Sequence, residues 1–78
     1  MLAVIKTVEY TIPMFGNKHS NPYGKLLVTD GKTEKICKIL EDLSGNLYVT
    51  FHRKRYIVKN YGTLYSPHFE VLLGGNPV

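Results

Sequence analysis

Four successive residues, His52, Arg53, Lys54 and Arg55, are basic or become so on protonation, and Lys59 follows close behind. Guanidinium groups grip phosphates with two parallel hydrogen bonds, and ammonium groups add compact point charges. Residues of these types, crowded together, suit recognition of an anionic backbone. Tyr48 and Tyr56 flank the run, and tyrosine rings stack on nucleobases. Lys18, Tyr23 and Lys25 offer a second set of the same kind, in a stretch from Thr11 to Thr29 that contains no carboxylate.

The placement of charge says more than its total. The net charge is +4, and the segment from Leu43 to Phe69 has no Asp or Glu while carrying Arg53, Lys54, Arg55 and Lys59. The other six lysines are balanced by six carboxylates. A neutral body with one positive region concentrates potential there and favours anionic partners, most often nucleic acid.

Catalytic chemistry is harder to assemble. His19, His52 and His68 are far apart, and none stands at metal-ligand spacing from another donor. Cys37 is the single cysteine, which excludes an intrachain disulfide and a cysteine-based zinc site. Gly16, Gly24 and Gly31 match no phosphate-cradling loop. The chain is therefore expected to be non-catalytic, with no cofactor and no metal. The apolar start Met1–Ile5 is too short for a signal peptide, and no run approaches the roughly 20 apolar residues of a membrane span. A cytoplasmic chain without membrane contact is expected.

Elements must position these groups. Residues 2–12 alternate as a strand, with apolar side chains on both faces that suit a central position. Pro13 ends it, and a turn-rich connection leads to a short strand at 25–29, followed by Asp30-Gly31. Over 33–44, at about 100° per residue, Ile36, Cys37, Ile39, Leu40 and Leu43 gather in one arc and Glu34, Lys35, Lys38, Glu41 and Asp42 in another. That pattern predicts a helix capped by Thr33 and ended by Gly45. Residues 47–52 alternate cleanly, with Leu47, Val49 and Phe51 inward and Tyr48, Thr50 and His52 outward. Strands at 56–59 and 69–73 follow.

The expected fold is thus α+β, a small mixed β-sheet with one covering helix in the order ββαβββ. This order resembles the β-grasp of ubiquitin-type domains, down to the apolar last strand and Gly74-Gly75. If 33–43 were a strand instead, the alternative is an all-β SH3-like or OB-like small barrel. Residues 1–73 read as a single domain and 74–78 as a flexible tail. A core this small leaves little stability to spare, so homodimerisation is compatible with it.

The sequence therefore points to a small basic binding module for single-stranded DNA or RNA, with weak sequence preference. Arg53, Lys54, Arg55, Lys59, Lys18 and Lys25 would meet phosphates, and Tyr48, Tyr56 and Tyr23 would stack beside His52. Basic residues also solubilise hairpin tips and blunt sheet edges without further purpose. The alternative function is an adaptor or inhibitor that docks on a larger protein, since tyrosine and arginine dominate protein hot spots. A ubiquitin-like modifier, cleaved after Gly75, is a third reading.

Overall fold

The computed structural model describes residues 1–11, 23–63 and 65–78. They form six strands, β1 (Ala3–Tyr10), β2 (Gly24–Thr29), β3 (Glu34–Glu41), β4 (Leu47–Phe51), β5 (Lys54–Asn60) and β6 (Phe69–Val71). A single 3-10 turn, Leu73–Gly75, follows. All neighbouring strands are antiparallel, and the sheet order is the chain order. No helix among the described residues is long and apolar enough to cross a membrane.

The fold expectation is corrected here: residues 34–41 are a strand, and the covering helix, the mixed sheet and the β-grasp order are absent from the described residues. The chain forms a nearly closed, barrel-like antiparallel sheet instead. The physical reason lies in two-sided strand patterning. Cys37 and Ile39 turn into the core at 6% and 0% exposure, whereas Ile36 on the opposite face is 57% exposed. Apolar residues on both faces of a strand imitate a helical arc over so short a window. Leu43, placed on the apolar stripe by the helical reading, is fully exposed in the turn between β3 and β4. A helix there would also leave β2 and β4 with open edges. As a strand, β3 pairs with β2 from Glu34 to Ile39 and with β4 through Leu40 and Glu41, joining the two halves of the sheet.

β1 differs from its expectation as well. It is an end strand, and its register with β2 slips between Val4 and Lys6 and again between Thr7 and Glu9. Bulges add a residue on one strand and increase local twist. The half-buried residues are consequently Val4, Thr7 and Tyr10, three apart instead of two, while Ile5 and Val8 are each 45% exposed. The twist brings β1 round toward β6. The Tyr10 ring meets Phe69 edge-on at 5.0 Å, and the Leu2 amide donates to the Gly75 carbonyl at 2.8 Å.

The core lies inside this curl. Leu26, Val28, Ile39, Val49, Phe51, Val58 and Phe69 are almost wholly excluded from solvent. Each such side chain contributes about 1.5–3 kcal/mol of burial. At the end of the chain the backbone is held: Gly75 is buried at φ 83°, where an added Cβ would meet the Leu2 carbonyl at 2.6 Å, and the Val78 amide donates to the Arg55 carbonyl at 2.8 Å. Gly74-Gly75 thus makes a packed corner against the first strand.

Candidate nucleic-acid interface

The basic residues sit on the β4–β5 hairpin. Its closing pair is Phe51 and Lys54, so only His52 and Arg53 form the loop. Their φ angles are 52° and 66°. Positive φ at both central residues is the signature of the type I′ turn, which matches strand twist and normally selects Asn-Gly. Here two side chains that dislike the left-handed region occupy it. Histidine tolerates that region better than most, and its ring packs against Phe51 at 4.2 Å between centroids.

Two-residue closure sets which side chains face out. Val49 pairs with Tyr56 and Leu47 with Val58, all turned toward the core side. Tyr48 pairs with Ile57 and Thr50 with Arg55 on the outer face. The Arg55 guanidinium lies 4.6 Å from the centre of the Tyr48 ring, a cation–π contact. Along β5, Arg55, Ile57 and Lys59 follow one another on this face, and Leu40 of β3 pairs with Tyr48 to continue the row. Among the described residues, none of Arg53, Lys54, Arg55 and Lys59 is ion-paired; the one bridge joins His68 and Glu70. Glu70 pairs across β6 with Lys59 and is the acid nearest this row in register.

The structure separates the residues singled out from sequence. Arg53, Lys54, Arg55, His52 and Lys59 are exposed on or beside the hairpin, and Tyr48 joins them half-buried. Tyr56 is 9% exposed and belongs to the core, so its ring does not reach the outer face. Tyr23 is likewise buried: its hydroxyl donates to Glu41 Oε1 at 2.8 Å, and that bond holds the phenol above its ordinary pKa. Lys25 lies on the outer face of β2, opposite Lys38 and with Glu9 across β1. Lys18 lies outside the described residues. Cys37 packs in the core, where burial pushes its thiol up.

Sequence reasoning missed two groups. Lys38, assigned to the polar side of a helix, stands beside Lys25 on the same face as Leu40. Tyr61, 55% exposed just past β5, has the Lys59 ammonium 5.4 Å from its ring centre. Strand alternation through 34–41 would have found the first; the second needed the path of the chain after Asn60.

Comparisons with family models, curated proteins and solved structures find no match to this chain.

Proposed function

We propose that this protein is a non-catalytic module that binds single-stranded nucleic acid on the outer face of the β4–β5 hairpin. Arg53, Arg55 and Lys59 contact phosphates, Lys54 adds charge from the other side of the tip, where it pairs with core-facing Phe51, and the Arg55–Tyr48 pair offers a flat cationic surface for a base. The observation that supports this reading most is the turn itself. His52 and Arg53 hold left-handed positions where Asn-Gly costs less, and strain retained at an exposed tip marks a place where side chains matter. Among the described residues the one helical element is the 3-10 turn Leu73–Gly75, which is too short to enter a groove, so sequence preference is weak.

Fluorescence anisotropy against labelled single-stranded DNA, RNA and duplex at low and physiological salt tests it. Wild type binds single strands, with affinity falling steeply as salt rises, by a log–log slope near −3 (roughly 0.7 per phosphate for four phosphates). Arg53→Ala/Arg55→Ala lowers affinity by tenfold or more. Binding indifferent to those two arginines would sink the proposal.

A second reading is docking onto a larger protein, favoured by Tyr65, which is 95% exposed on the connection before β6. Under it, affinity for the partner depends on tyrosine more than on salt, and single strands bind weakly.

A further inference from the structure

We propose that the β5 surface carries a second stacking station, Tyr61 with Lys59, so that a single strand runs along β5 from the hairpin tip to its far end. This rests on the nucleic-acid reading and extends it to Tyr61, outside the hairpin.

The two ends of β5 are built alike. Arg55 and Lys59 lie on the same outer face, four residues apart, which is roughly 13 Å along a strand. Each cation lies over a tyrosine ring, Tyr48 at 4.6 Å and Tyr61 at 5.4 Å. Half-buried Ile57 lies between them and gives an apolar floor. At the spacing of about 3.4 Å for stacked nucleotides, the two stations span about four of them, within the tract lengths bound by small stacking platforms.

Tyr61 is also held ready. Its amide donates to the His68 carbonyl at 2.8 Å. Asn60 Oδ1 accepts from the amides of Gly62 and His68 at 2.9 Å each, tying both ends of the connection to β5. The fit is tight, since a Cβ on Gly62 would meet the Ser66 carbonyl at 2.3 Å. A ring presented on pinned backbone loses little freedom when a base stacks on it. The opposing charge nearby is Glu70, which faces Lys59 across β6 and is held by His68 Nε2 at 3.1 Å.

Anisotropy with labelled oligothymidylates of two, four, six and eight nucleotides, at low salt, tests the assignment. Wild-type affinity rises about tenfold or more from the two-mer to the six-mer and then flattens. Tyr61→Ala loses about tenfold on the eight-mer, and Tyr61→Phe, which keeps the ring, binds as wild type. Lys59→Gln loses about threefold and Glu70→Gln gains about threefold, as the phosphate contact of Lys59 requires, and Tyr61→Leu, which keeps apolar bulk without an aromatic face, takes the place of Tyr61→Ala should that variant not fold. If Tyr61→Ala or Tyr61→Leu binds the eight-mer as wild type while Arg53→Ala/Arg55→Ala does not, the second station is wrong and the hairpin site, Lys59 included, stands. If wild type binds no oligomer, both fall together.

Discussion

The turns at Asp30–Thr33 and at His52–Arg53 close the β2–β3 and β4–β5 hairpins of one sheet by opposite means. In the first, Asp30 Oδ1 accepts from the amides of Lys32 at 2.8 Å and Thr33 at 2.9 Å, and Gly31 takes φ 98° without strain. Those two bonds, Thr33 first, hold the Asp30 carboxyl below its ordinary pKa. The turn between β3 and β4 repeats the device: Asp42 Oδ1 accepts from Ser44 and Asn46, both at 2.9 Å, and Gly45 sits at φ 89°. At His52–Arg53 there is no glycine, no aspartate and no such bond among the described residues. Two turns close on side-chain hydrogen bonds and a glycine; the third closes on two exposed side chains held at positive φ.

Replacing the strained pair breaks this contrast most directly. His52→Asn/Arg53→Gly installs the residues that the turn geometry prefers and should raise stability by about 1 kcal/mol, a gain of about 4–8 °C in melting temperature. Affinity for single-stranded DNA should fall by about tenfold. A variant neither more stable nor weaker in binding would show that the turn is an ordinary one.

The reciprocal changes belong to the closing turns. Asp42→Ala leaves the Ser44 and Asn46 amides to water and should cost about 1 kcal/mol, with binding unchanged. Gly45→Ala places a Cβ in the left-handed region and should cost a similar amount. Urea melts measure both, and anisotropy checks that the interface is untouched.

The smallest effect is titration of Asp30. Its folded pKa is lowered, so its contribution is fully present above the ordinary carboxylate value and disappears as pH falls through the folded one. Stability should therefore drop slightly in acid below about pH 4, and Asp30→Asn should remove that part of the drop. Melts of both chains between pH 6 and 2 read the difference.

Much of the site could be read without coordinates. The acid-free basic segment follows from residue order, and strict alternation through Leu47–Phe51 puts Tyr48 and Thr50 outside. Tyr56 could not be placed the same way. Treating His52–Arg55 as the turn leaves its face open, whereas the actual two-residue turn pairs Val49 with Tyr56 and sends both inward. A shift of one residue in register moves every side chain to the other face. β1 illustrates the same limit, because two bulges replace its twofold alternation with a threefold one that no periodicity count anticipates.

What the sequence determined alone was therefore local or additive. It includes the Asp30-Gly31 turn, whose side-chain chemistry stays within a few residues, the alternation of β4, and the gathering of positive charge between Leu43 and Phe69. Tertiary structure decided the rest. Residues 34–41 satisfy a helical arc and a two-sided strand equally well, and the open edges of β2 and β4, which need backbone partners, made them a strand. The same pairing chose which tyrosines reach solvent. It placed Tyr48 and Tyr61 beside cations and buried Tyr23 and Tyr56, because burial is settled by register between strands distant in the chain.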